Sequence, residues 1–175
     1  MAKIYNYKTG KIIIEDDNLT LKQLIETAIK NKISLAYANF RNADLEYVYF
    51  TGADCSKADF TGANCYRAIF AFSNCYDANF TRTNFEGSDC FGANFTMANC
   101  YKANFNYSDC SGINLSFANL QEAAINHAIL REATLIKTFF LNSSCVGTFF
   151  KDAFFADIDC CGTNFDKAYY CNLNN

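Results

Sequence analysis

Residues 78–105 read ANFTRTNFEGSDCFGANFTMANCYKANF, and the spacing inside this stretch decides the fold. Phe80, Phe85, Cys90, Phe95, Cys100 and Phe105 recur at every fifth position, and two residues before each stands a small side chain: Ala78, Thr83, Ser88, Ala93, Ala98 or Ala103. Traced outward, this register runs without a slip from Ile33 to Tyr170. Calling Leu35 and every fifth residue after it a centre gives 28 centres: 12 Phe, 8 Cys, 6 Leu, Ile125 and Tyr170. None is charged. The residue two before the centre is Ala in 16 cases, and the residue between, termed the ladder position below, is Asn in 11 and Asp in 6. A fixed internal period of this kind specifies a solenoid.

Two inward positions flanking one outward position are the period-two mark of a short extended segment. The next inward pair begins three residues later rather than two, so the chain turns once per pentapeptide. A right-angle turn closes a square. Four faces make a coil of about 20 residues, and coils stacked at roughly 4.8 Å let each backbone group pair with the coil above or below. The 28 units then predict seven coils, a rod about 34 Å tall at that spacing. The chain has no Pro, which fits a stack whose interior N–H groups are needed for pairing. Seven of the eight Gly stand at the second position after a centre, where the corner lies. A type II turn needs positive φ there, so corners that carry Lys57, Arg67, Phe72 or Glu122 are expected to have room for another turn type.

The repeated unit, as in Ala78-Asn79-Phe80-Thr81-Arg82, resembles the pentapeptide-repeat family, whose loose consensus is Ala-Asp/Asn-Leu/Phe-x-x. The resemblance spans about four-fifths of the chain. It implies an all-β solenoid, a right-handed quadrilateral parallel β-helix. The handedness comes from the family alone.

Residues 1–32 are a different object, 33–170 carry the repeats, and 171–175 form a short tail. Lys3 to Glu15, with Ile4, Tyr5, Ile12, Ile13 and Ile14 around Lys8-Thr9-Gly10, predicts a hairpin. Thr20-Leu21-Lys22-Gln23 is a capping box for a helix, and Leu19 is placed to staple onto Leu24. Leu21, Leu24, Ile25, Ala28 and Ile29 fall on one helical face, suited to covering the first coil near Leu35 and Phe40. An N-terminal helix in that role is common in the family resembled.

Near the other end the ladder position turns apolar at Ile129, Phe139, Phe149, Phe154 and Tyr169. Under a coil of about 20 residues, Ile129, Phe149 and Tyr169 stack on one face. A contiguous apolar stripe beside a coil without a helix to cover it predicts an interface, most simply a homodimer joining the C-terminal coils, with Tyr170 at its edge.

Ten cysteines without a signal-peptide pattern predict a reduced, cytoplasmic protein. Eight are centres, hence buried filler, which leaves Cys161 and Cys171 as the expected exposed thiols. With a single histidine, His127, and no Cys-x-x-Cys pair, no metal or cofactor is expected. A regular rod offers no cleft, no phosphate loop and no nucleophile motif, so an enzyme is not expected. The recurrent Asn and Asp side chains read as partners of local backbone rather than as catalytic carboxylates. No apolar run is long enough for a membrane span. Of the net charge of −3, residues 1–32 hold six basic and four acidic groups, leaving nine basic and fourteen acidic, or −5, on the repeats. That disfavours direct nucleic-acid binding.

Two function classes remain. One is a rigid interaction module with an unidentified protein partner. The other comes from the resemblance: a DNA mimic that binds DNA gyrase or another type II topoisomerase, as some family members linked to quinolone resistance do. A mimic requires strong acidity, whereas here Arg41, Lys57, Arg67, Arg82, Arg131, Lys137, Lys151 and Lys167 dilute the charge along the rod.

Overall fold

The computed structural model of the chain describes residues 2–170. Cys171 and the remainder of the tail lie outside the described residues. Strand β1 (Ala2–Tyr5) pairs antiparallel with β2 (Ile12–Asp16), with Lys3 Nζ 2.6 Å from Glu15 across the pair. Helix α1 (Leu21–Lys30) comes next, and its capping box is complete: Thr20 Oγ1 accepts from Gln23 N while Gln23 Oε1 accepts from Thr20 N. The helix ends in a Schellman motif. Lys32 N donates to Ile29 O and Ile33 N to Ala28 O, with Lys32 itself at φ 56°.

From Ser34 onward the backbone climbs in square coils. Parallel bridges join ladder residues twenty positions apart, from Asn39–Asp59 to Phe149–Tyr169. At one place near the top the pairing lengthens into two short parallel strands, β3 (Thr134–Ile136) and β4 (Phe154–Ala156). This is a parallel β-helix with four faces. We number them by ladder residue: face 1 begins at Ser34, face 2 at Asn39, face 3 at Asp44 and face 4 at Tyr49.

The interior is built from stacked rings. On face 2, Phe40, Phe60 and Phe80 lie 4.9 and 4.8 Å apart, and on face 4 Phe50 and Phe70 stack at 4.6 Å. Rings from opposite faces meet edge to face across the interior, as Phe50 and Phe60 do at 77°. Each fully buried Phe contributes roughly 1.5–3 kcal/mol of transfer free energy. Small residues two before the centre let these rings approach, and where Thr stands there its hydroxyl is satisfied: Thr83 and Thr148 donate to Phe60 O and Ile125 O at 2.7 Å.

The two ends differ. Leu35, Phe40, Leu45 and Phe50 of the first coil are fully buried in one apolar cluster with Ile4, Leu24, Ile25 and Ala28. The hairpin pairs with that coil directly, through Asn39 N to Tyr5 O and Tyr7 N to Tyr37 O. In the last coil Phe155, Phe165 and Tyr170 are half-buried and Cys160 is exposed. Cys160 therefore departs from the expectation that every centre cysteine is buried, because an inward direction buries a side chain only where another coil lies above it.

The corners correct the expectation of mixed turn types. All 27 corner residues from Tyr37 to Lys167 have φ between 51° and 69°, including Lys57, Arg67, Phe72 and Glu122. Stacking imposes this. Arg67 N donates to Glu86 O in the next coil while Ala68 N closes the turn on Cys65 O, so the backbone is held from two sides. A non-glycine residue then bears a left-handed cost of roughly 1–2 kcal/mol. At some corners glycine also leaves room for the side chain one coil below: a Cβ on Gly147 would lie 2.7 Å from His127 Nδ1, and one on Gly92 3.0 Å from the Phe72 ring, so those side chains would have to shift.

Candidate interaction face

Each pentapeptide carries five backbone N–H groups, and their partners define what each side chain does. In the unit Ala78 to Arg82, Ala78 N closes the turn on Cys75 O and Asn79 N donates down to Ala58 O. Phe80 N and Arg82 N donate up to Asn99 O and Tyr101 O. The remaining donor, Thr81 N, is accepted by the Asn79 side chain at 3.1 Å. The ladder Asn or Asp thus supplies the acceptor for that N–H, which is the local backbone role expected from the sequence. The same side chains bond to one another up the rod: Asn84 Nδ2 donates to Asn64 Oδ1 at 3.1 Å and Asn104 Nδ2 to Asn84 Oδ1 at 3.0 Å.

Outside β3 and β4, five N–H groups at the first position after a centre have no acceptor among the described residues: Thr51, Ala71, Arg131, Leu141 and Lys151. In each case the ladder residue is apolar or aromatic: Tyr49, Ile69, Ile129, Phe139 and Phe149. Loss of Asn does not by itself leave the donor unpaired. On face 3, where Ala124 and Ser144 occupy the ladder, Asn106 Oδ1 accepts from Asn126 N and Asn126 Oδ1 accepts from Val146 N. That repair is missing at the five positions, each of which forgoes a bond worth about 1 kcal/mol net.

Four of the five lie on face 4. Its ladder column reads Tyr49, Ile69, Asp89, Asp109, Ile129, Phe149, Tyr169, bridged from coil to coil throughout. The predicted stripe of Ile129, Phe149 and Tyr169 is therefore one vertical column. Phe149 and Tyr169 stack at 4.5 Å and 6°, and are 41% and 56% exposed. Phe139 stands on face 2 and Phe154 on face 1, so neither joins this column. Tyr170 points inward, stacks over Phe150 at 5.4 Å, and is half-buried; that burial pushes its phenol up to about 12. Sequence reasoning passes over Tyr49 and Ile69, although the same signal, an apolar residue at a ladder position, marks them.

Around the base of face 4 the rod is not smooth. Two hollows of about 310 and 330 Å³ lie against α1 and share Ile29. At the top, a hollow of about 280 Å³ is lined by Phe155, Ile158, Phe165 and Tyr170. Elsewhere exposed charges pair locally. Glu122 receives Tyr101 Oη at 2.9 Å and lies 3.1 Å from Lys102 Nζ, and these contacts hold its carboxyl below the usual range. The thiols of Cys55, Cys65, Cys75, Cys90, Cys100, Cys110 and Cys145 are free and buried, whereas Cys160 and Cys161 are free and exposed. His127 stacks on Tyr107 at 5.2 Å on the outside of the rod and is exposed. Among the described residues no group of three His, Cys, Asp or Glu is placed to hold a metal ion. No described helix is long and apolar enough to cross a membrane.

The family model for pentapeptide repeats matches in eight copies, over residues 38–71, 73–106, 98–136 and 108–144, well over half of the chain. The chain belongs to the pentapeptide-repeat family. The family implies a right-handed coil, and its members are generally structural or interaction proteins rather than enzymes. Solved pentapeptide-repeat proteins similar to this chain include HetL, involved in heterocyst differentiation regulation in Nostoc sp. strain PCC 7120, at 21% identity over 74% of this chain and 73% of that one, with a TM-score of 0.38. A pentapeptide-repeat protein of the Arabidopsis thaliana thylakoid lumen is 28% identical over 65% of this chain and 69% of its own, with a TM-score of 0.42. A trypsin-treated form of QnrB1, a plasmid-mediated fluoroquinolone resistance protein, is 16% identical over 79% and 85%, with a TM-score of 0.32. No curated protein matches the chain.

Proposed function

We propose that this pentapeptide-repeat chain is a non-enzymatic, cytoplasmic interaction rod of about seven coils, covered at its N-terminal end by the hairpin and α1. It works through face 4. Its C-terminal coils pair with a second copy, and its remaining partner is another protein. One observation carries this reading: Ile129 and Phe149 occupy positions where Asn would complete the fold, and the N–H groups of Arg131 and Lys151 go without an acceptor among the described residues as a result. Apolar side chains that leave their own backbone unpaired, yet stay partly exposed, contribute more in a complex than in the lone chain. The exposed apolar groups of the last coil extend the same surface, so an isologous contact there would cover both.

The test is the double substitution Phe149→Arg and Tyr169→Arg. Both side chains point outward, so the chain should remain folded by circular dichroism and become monomeric by light scattering at tens of micromolar. A wild type already monomeric under those conditions, or a dimer unaffected by the double substitution, would overturn this placement of the contact.

A further inference from the structure

The other end of face 4 carries a second feature of the same kind, and it does not depend on pairing between copies. Tyr49 is 52% exposed at a ladder position, and Thr51 N has no acceptor among the described residues because no Asn precedes it. Tyr49 and Thr51 form one wall of the 310 Å³ hollow, and Glu26, Ile29 and Lys30 of α1 form the other. Through Ile29 this hollow meets the 330 Å³ one, which Lys32, Gly52 and Asp54 help to line. A Cβ built on Gly52 meets nothing within 4 Å, so the floor at that corner is open. Together the two make a trough along the second half of the helix.

We infer that this trough is a docking site for an extended, acidic segment of a partner protein that carries one apolar anchor side chain. The inference rests on the interaction-rod reading and gives it a second, chemically defined site. Ile29 and the Tyr49 ring offer apolar walls for the anchor. Thr51 N offers a backbone donor that an incoming carbonyl or carboxylate would satisfy. Three ammonium groups surround these: Lys22 lies 5.5 Å over the Tyr49 ring, and Lys30 and Lys32 line the two hollows. Two carboxylates are also present. Asp54 is already occupied, since it accepts from Ser34 Oγ, Ser56 N and Asn74 Nδ2. Burial alone would raise its carboxyl, and these bonds outweigh that and hold it low, which leaves Glu26 as the one unengaged acid of the trough. The balance is positive and the walls are apolar, so an acidic segment with an anchor is the complementary ligand.

Peptide titration of the full chain, monitored by amide NMR, tests this. The probe is the capped pentapeptide Asp-Asp-Leu-Asp-Asp, and the control replaces each Asp by Lys. The acidic peptide should move the Thr51 and Gly52 amide signals in a saturable way, and the basic control should not. Tyr49→Asn is the informative variant because Asn supplies the missing acceptor to Thr51 N. It should leave the melting temperature unlowered while weakening the acidic peptide by at least about tenfold. The Phe149→Arg and Tyr169→Arg chain should bind the peptide as wild type does, which separates failure of this site from failure of the pairing at the other end. Absence of a shift at Thr51 at millimolar peptide, an equal response to the basic control, or undiminished binding by Tyr49→Asn would each overturn the proposal.

Discussion

A single residue's effect in this protein depends on which of the five backbone stations it occupies. Phe80 is fully buried between Phe60 and Phe95, each 4.8 Å away, so Phe80→Asp would place an unpaired charge among rings. It should cost several kcal/mol or prevent folding. Thr81, one residue on, faces outward, and its side chain bonds only to those of the ladder residues Asn79 and Asn99. Thr81→Asp should change stability by roughly 0.5 kcal/mol or less. Thermal melting of the two variants checks the pair, and comparable losses would contradict the inward and outward assignment. The inward set was fully legible in the sequence because a charge-free period of five has one geometric meaning. The corner conformation was not: φ at Phe72 or Glu122 is set by hydrogen bonds to the neighbouring coil, and local preference at one residue carries no trace of them.

At the scale of a coil, the interior thiols couple stability to pH. A bond to the neighbouring Cys75 thiol, together with burial, holds Cys55 well above its ordinary value; burial does the same for Cys65 and Cys100, and pushes Cys145 up to about 12. Unfolded thiols ionise near 9.0, before the folded ones do. The unfolded chain therefore releases protons first as pH rises. The contribution of these thiols is fully present below about pH 9 and is lost upward from there, through about 12 for Cys145. The melting temperature of reduced protein should stay level up to about pH 8 and fall from about pH 9 onward; a level or rising profile between about pH 9 and 11 would contradict the buried, protonated thiols. In native protein near neutral pH, a thiol reagent should reach Cys160 and Cys161 and spare the seven buried cysteines named above. The register places Cys160 in the interior because its direction is inward; its exposure comes from its position in the last described coil, with no described residue stacked above it. The ladder is more legible. Its Asn and Asp are recognisable as backbone partners, yet the corollary, that Tyr49 and Ile69 leave Thr51 and Ala71 unpaired, depends on the partner of every neighbouring N–H and is visible only in three dimensions.

The whole molecule is a rod whose unmet N–H groups fall mostly on one face. Its charge does not make it a uniform anionic surface. Lys57 lies 3.9 Å from Asp77, Arg41 3.4 Å from Asp59 and Lys102 3.1 Å from Glu122, so acids and bases alternate along the coils. That distribution supports an interaction rod over a mimic of duplex DNA, which needs an uninterrupted negative field. The fold was legible because repetition multiplies a weak local signal into a global one. The site was legible only in part, since the stripe of Ile129, Phe149 and Tyr169 interrupts a polar column, while the trough beside α1 arises from how a helix of different sequence meets the first coil. On the proposed reading, face 4 gives up hydrogen bonds of the fold where it contacts another molecule, and the variant that separates the two effects is Phe149→Asn. Sedimentation equilibrium of this variant beside wild type should show the monomer–dimer dissociation constant raised at least about tenfold, because the stacked aromatic pair is lost while Lys151 N gains an acceptor and the fold is kept. An unchanged constant, or a wild type with no dimer at all, would contradict the account.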